Sequence, residues 1–229
     1  MRVLLIAALL MCEVWALGTI GNIKGDVVVQ RELAGAWVLA KNGEQLVVGD
    51  VVKTDRDSSA RLKFDDGTVA TLGATTTFVI ENYVNSNDKN SKARFRVDGG
   101  IFKVVTGAIG KVAPDNFTIA TRTATMGIRG TTLYGLVGKG SSDRYACTSG
   151  AISVKSTSGA SIAVNAGEMT TVAASGAPTK PVAVDMSLFE QVNDDNYLIY
   201  WIVGGATLLI VVAAIAWLSF GKTKKRRKK

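Results

Sequence analysis

The chain has 229 residues and a formal net charge of +8, from 27 Lys and Arg against 19 Asp and Glu, and it has no histidine. Without histidine there is no Ser-His-Asp triad, no imidazole base and no imidazole metal ligand, and two cysteines, Cys12 and Cys147, are too few for a cysteine-rich zinc site. Seven basic residues follow Phe220 and one more is Arg2, while Glu13 is the one acidic residue near the N-terminus; the stretch between holds 19 basic against 18 acidic residues, so the apparent basicity is no footprint for a phosphate backbone, and no nucleic-acid partner is expected.

In chain order, Met1-Arg2 is a short positive region, Val3 to Met11 is apolar, and Val14-Trp15-Ala16 has the small-residue spacing of an export-signal cleavage site. Residues 1–16 are therefore expected to be a signal peptide cut after Ala16, with a cut after Gly18 as the alternative; the apolar stretch is short for an uncleaved anchor. Removal of the signal would leave Cys147 as the single thiol, so no intrachain disulfide forms; it is read as a small core residue, or as the site of an intermolecular disulfide.

Residues 18–172 are expected to form one all-β domain, a sandwich or roll of short antiparallel strands. Ala60-Arg61-Leu62-Lys63-Phe64 alternates apolar and charged residues, and Phe95-Arg96-Val97, Phe117-Thr118-Ile119 and Ile152-Ser153-Val154-Lys155 repeat the pattern of strands buried on one face. Glycine turns fall between them at short intervals, among them Asn42-Gly43, Gly49-Asp50, Asp66-Gly67, Gly99-Gly100, Ser149-Gly150, Ser158-Gly159 and Ala166-Gly167. Asn85 to Lys92 is expected to be an exposed hairpin loop.

Residues 173–186, rich in Ala, Ser, Gly and Pro, read as a linker. Ser187 and Glu190 have capping-box spacing for a juxtamembrane helix over 187–197. Residues 198–220 carry no charge over 23 positions, enough for a transmembrane helix, and residues 221–229 are a basic tail that holds the C-terminus in the cytoplasm. Tyr197, Tyr200 and Trp201 would anchor the outer interface, Trp217 and Phe220 the inner one. The expected localisation is a single-pass protein of the bacterial cytoplasmic (inner) membrane with its N-terminal domain in the periplasm. A permanent anchor is favoured over a processed sorting signal because Gly204-Gly205 lies inside the apolar run.

No motif carries chemistry. Ser86-Asn87-Asp88-Lys89 matches a Ser-x-x-Lys pattern without its partner motifs, and Asp55, Asp57, Asp65 and Asp66 lack the ligand order of a calcium loop. The chain is expected not to be an enzyme, with no catalytic residues, no cofactors and no metal. Trp37, Tyr83 and Tyr134 are the aromatic residues that a wall-glycan binder would use.

One stretch is more specific: Phe117 to Tyr134, containing Met126-Gly-Ile-Arg129-Gly130-Thr131, resembles the signature of the FecR-type domain, named for the ferric-citrate regulator of bacteria. Gly25-Asp26-Val27 resembles its opening strand, Leu46 to Thr54 with Gly49 and Asp50 its Gly-Asp turn, Ala60 to Leu72 with Asp66 and Gly67 its central hairpin, and Ser149-Gly150 and Ala166-Gly167 its later turns. The resemblance implies a β-rich periplasmic domain that binds proteins, with Gly49, Asp50, Asp66, Gly67, Arg129, Gly130 and Thr131 as family positions serving the fold. Arg129 is expected to satisfy several carbonyls where strands change direction, the alternative being a ligand-contacting arginine.

Relatives resembling that regulator carry a cytoplasmic sigma-factor-binding segment, for which the nine-residue basic tail leaves no room. The leading expectation is thus a membrane-anchored interaction or scaffold module with envelope-protein partners, itself a candidate homo-oligomer and a candidate part of an envelope-spanning machine. The alternative is a signal-sensing protein that passes partner or ligand binding through its transmembrane helix to another membrane protein.

Overall fold

Strand-favouring residues separated by tight turns dominate the computed structural model, which describes residues 16–31, 35–138, 140 and 142–193. The expected span 198–220, its interface anchors Tyr197, Tyr200, Trp201 and Trp217, the tail, and all of the signal peptide but Ala16 lie outside the described residues. No helix among the described residues is long and apolar enough to cross a membrane. The β domain belongs to a compact unit that ends at Val192.

The strands are β1 (Gly18–Lys24), β2 (Val27–Gln30), β3 (Trp37–Leu39), β4 (Gln45–Leu46), β5 (Val51–Thr54), β6 (Ser59–Phe64), β7 (Val69–Leu72), β8 (Thr77–Val84), β9 (Lys92–Val105), β10 (Phe117–Thr121), β11 (Ala124–Val137), β12 (Ser142–Ser156), β13 (Ser161–Asn165), β14 (Glu168–Ala173) and β15 (Val182–Ala183). A single turn of helix, α1 (Ile109–Val112), precedes β10, and a 3₁₀ helix, Met186–Val192, follows β15. The all-β expectation holds.

Two parts of that expectation are corrected. β9, β11 and β12 are not short but run 14, 14 and 15 residues, and β10 pairs with β9 in parallel, Phe117↔Ala93 through Thr121↔Val97. The parallel pair is possible because α1 and the 3₁₀ turn after it carry the chain back to the start of β9. The long strands change neighbours along their length. β9 pairs with β8 and β10 through its first half and with β7 and β11 through its second. Its midpoint is Gly99-Gly100, where Gly100 has φ +97°, and a Cβ there would meet the Thr76 backbone at 2.3 Å, so only glycine fits.

Alternation places the core as the sequence implies. Ala60, Leu62 and Phe64 of β6 are buried, while Arg61 and Lys63 face away. At the centre lies an aromatic stack: Phe95 sits 4.9 Å from Phe64, 5.2 Å from Phe78 and 5.8 Å edge-on from Phe117. Each fully buried ring contributes about 1.5–3 kcal/mol by burial, and each ring pair about 0.5–1.5 kcal/mol more. The expected loop after Tyr83 is an exposed hairpin loop closed by Val84↔Lys92. Cys147 is a buried core residue whose thiol donates to the Ser149 carbonyl at 3.2 Å.

A smaller second core lies on the opposite face of the sheet. Ile101, Tyr134 and Ala146 are covered there by Phe189 and Val192, with the Phe189 ring 5.4 Å from that of Tyr134. The cover comes from the start of the segment read as a juxtamembrane helix, and the segment read as a linker leads into it along the sheet edge. Thr170 Oγ1 donates to the Thr179 carbonyl at 2.7 Å, Val172 bridges Pro178, and β15 pairs with β14. Backbone pairing orders this segment. The capping box is also absent: Ser187 N–H and Oγ–H donate to Asp185 Oδ1 at 3.0 and 2.7 Å, so Asp185 takes the capping role expected of Ser187.

Candidate functional site

The positions singled out in the sequence form three separate clusters. In the first, Gly49 has φ +92° and delivers Asp50 into the domain. Val47 N–H donates to Asp50 Oδ2 at 2.9 Å, and the Arg31 guanidinium pairs with the same oxygen while reaching Glu44 at 2.8 Å and the Gln45 carbonyl at 3.0 Å. Asp50 is fully buried, and its Oδ1 has no hydrogen-bond partner among the described residues. Burial therefore pushes its carboxyl above the ordinary aspartate value, with Val47 N–H and Arg31 opposing. Arg31, some twenty positions away, had no local signal by which sequence reasoning could find it.

In the second cluster Asp66 ties a hairpin to a distant strand. Oδ1 accepts from Tyr83 Oη–H and Thr68 N–H, both at 2.9 Å; Oδ2 accepts from Thr68 Oγ1 at 2.8 Å and Ile109 N–H at 3.1 Å. Gly67, φ +83°, completes the turn. Gly107 packs against it so closely that a Cβ would lie 2.2 Å from the Asp66 carbonyl oxygen. Burial pushes the Tyr83 hydroxyl far above the usual phenol range, so it stays protonated as a donor.

The third cluster is the Arg129-Gly130-Thr131 bulge in β11. The pairing with β12 shifts register between Arg129 and Thr132, and Gly130 has φ +60°. Thr131 is locked to Thr106 in both directions: Thr131 N–H donates to Thr106 Oγ1 at 2.9 Å, and Thr106 N–H to the Thr131 carbonyl at 3.1 Å. Gly130 and Thr131 thus shape and fasten the bulge. Arg129 departs from the expectation. Its side chain is exposed, and among the described residues it bonds no carbonyl and no carboxylate. The bulge turns it outward, onto an open groove of about 550 Å³ lined also by Pro114, Asp115, Gly127, Ala151 and Ala163.

A larger cleft, about 880 Å³, lies elsewhere. Lys53, Asp55, Thr75 and Asp98 line one side, and Ser187, Leu188, Glu190 and Gln191 of the 3₁₀ helix line the other. Gln191 Oε1 accepts from Ala74 N–H at 3.3 Å, and Val192 lies against Gly73, where a Cβ would come within 3.0 Å of Val192 Cγ1. The C-terminal segment is therefore both a wall of the cleft and the lid of the second core. Neither the cleft nor the lid was read from the sequence; an amphipathic Met186-x-x-Phe189-x-x-Val192 spacing was the available signal. Of the aromatic glycan candidates, Tyr83 and Tyr134 are buried and Trp37 is exposed.

Residues 50–153 match the FecR protein family. Asp50, Asp66, Gly67, Arg129, Gly130 and Thr131 fall inside the matched segment and Gly49 abuts it, so the match takes in the second and third clusters and only Asp50 of the first. β1 to β4 and the C-terminal lid lie outside it. Two crystal structures of a protein from Parabacteroides distasonis ATCC 8503, described as a putative anti-sigma factor, are similar to this chain at 14% identity, and the one at 2.50 Å shares the fold. The 2.50 Å structure has a TM-score of 0.50, covering 66% of this chain and 63% of that one; the 1.65 Å structure has 0.49, covering 59% and 60%. The chain thus spans somewhat over half the length of these structures. No curated protein sequence matches the chain.

Proposed function

We propose that this chain is a FecR-type sensor of the bacterial envelope. In this reading the β domain lies in the periplasm, residues 198–220 span the cytoplasmic membrane, and partner binding is passed through the C-terminal lid to the span. One observation carries the proposal: the 3₁₀ helix that leads toward residues 198–220 packs Phe189 and Val192 into the domain and walls its 880 Å³ cleft. A tether that only held a scaffold in place would need no such packing. The FecR match supports the sensing class, and the description of the structural relatives as an anti-sigma factor points the same way. The signal would pass from the span to a second membrane protein.

The partner is an envelope protein. Arg129 offers it a bidentate donor for a carboxylate, on an open groove where its guanidinium bonds no carbonyl and no carboxylate among the described residues. The test is a transcriptome of cells lacking the chain beside cells making Phe189→Ala. Sensing predicts a defined set of expression changes in the deletion, reproduced by Phe189→Ala with the protein still present in the membrane. An unchanged transcriptome in the deletion overturns sensing and returns the scaffold reading.

A further inference from the structure

The domain closes or shortens nearly all of its strand edges. β4 and β15 have two residues each, and the edge strand β13 presents Ser161, Ala163 and Asn165. β3 differs. Among the described residues it pairs with β2 alone, and Trp37, Val38 and Leu39 are 46%, 57% and 64% exposed. Ala40 N–H donates to the Val27 carbonyl at 2.8 Å. In an alternating antiparallel ladder, that bond makes Val38, opposite Val29, the next hydrogen-bonded position. The N–H and C=O groups of Trp37 and Leu39 therefore point away from β2. Among the described residues nothing accepts from or donates to them.

We infer that β3 is a pairing edge for a second copy of this chain, joined antiparallel about a two-fold axis at Val38. The register follows from the backbone. The outward groups of Trp37 meet those of the partner's Leu39, and the reverse, giving four hydrogen bonds; Val38 faces Val38 of the partner subunit as a non-hydrogen-bonded pair. The side chains suit this register. The run Ala36-Trp37-Val38-Leu39-Ala40 sets small against small, large against large and Val against Val. Natural edges that must stay free carry a charge, a proline or a bulge, and this run has none. The two-fold places no like charges opposite each other within the run, which carries no charge. A five-residue ribbon buries less than the ~800 Å² per partner of a stable interface, so pairing is concentration-dependent and attachment to a common membrane favours it. The inference stands whether or not the domain signals.

The experiment is cysteine cross-linking of the full chain in its membrane under mild oxidation. Single variants Val38→Cys, Trp37→Cys, Leu39→Cys and Val84→Cys are compared with the wild type, which controls for Cys12 and Cys147. Opposed non-hydrogen-bonded residues lie ~4.5 Å apart at Cα, within disulfide reach, so Val38→Cys should give about tenfold more dimer than Val84→Cys. Trp37→Cys and Leu39→Cys should cross-link to each other when co-produced and weakly with themselves. Equal yields at all four positions, a Val38→Cys adduct with a different protein, or no adduct from a thiol that maleimide shows to be accessible would each overturn the inference.

Discussion

Replacing Phe189 with alanine should open the lid without unfolding the domain. Phe189 is fully buried and packs on Tyr134. Its loss removes about 2–3 kcal/mol of burial and about 0.5–1.5 kcal/mol of ring pairing. The remaining hold on the 3₁₀ helix is Val192, also fully buried, with partly buried Met186 and Leu188 and the single Gln191–Ala74 bond. Removal of about 3 kcal/mol would raise the population of the undocked lid about a hundredfold or more, while the main aromatic core, on the other face of the sheet, is untouched. Hydrogen exchange read by mass spectrometry should show faster exchange at residues 184–192 and at Gly73 and Ala74, with slow exchange kept in β6, β9 and β11. Uniform acceleration through the whole domain would show that the lid is not a separate unit. Unchanged exchange at 184–192 would show that Phe189 does not hold it.

Arg129→Ala should leave the unfolding free energy within ~0.5 kcal/mol of the wild type, as for exposed positions without partners, while weakening capture of the envelope partner from cross-linked membranes; a large loss of stability would restore the structural role first expected of this residue. Gly107→Ala should cost about 3 kcal/mol or more, as overpacking against backbone does, whereas Gly130→Ala, with open space around it but φ +60°, should cost about 1–2 kcal/mol; chemical denaturation of both ranks them, and the reverse order would refute the packing argument. Asp50 holds its proton more tightly folded than unfolded, so below its raised folded value and down toward 3.8 the folded state binds more proton than the unfolded state and gains stability as pH falls. The stability of the wild type relative to Asp50→Asn should therefore grow on acidification through that window, and a gap that narrows would refute the assignment.

Strand faces were legible because alternation is local: β6 shows in five letters which way each side chain points. The turns were legible for the same reason, since Gly49, Gly67 and Gly130 all adopt positive φ. Pairings across the chain were not. Asp50–Arg31 and Asp66–Tyr83 join residues 19 and 17 positions apart with no periodic signal, so both carboxylates were readable as family positions but not as buried hubs. The outward placement of Arg129 was not legible because a guanidinium beside a bulge can turn inward or outward, and register decides which. The lid escaped because the spacing of Ser187 and Glu190 reads as the start of a juxtamembrane helix, while the packing of Phe189 and Val192 on Tyr134 and Ile101 is a tertiary contact that spacing does not encode.

The way the lid ends has a mechanical consequence. A load applied to the chain at residue 193 meets the 3₁₀ helix first and then β15, whose two residues pair with β14 as an edge. Such an edge peels one bond at a time instead of shearing many together. Tension from the C-terminal side would therefore be spent lifting the lid and baring Tyr134 and Ile101, before any of it reached the long ladder between β11 and β12. The domain has a built-in fuse at the end where it meets the rest of the chain.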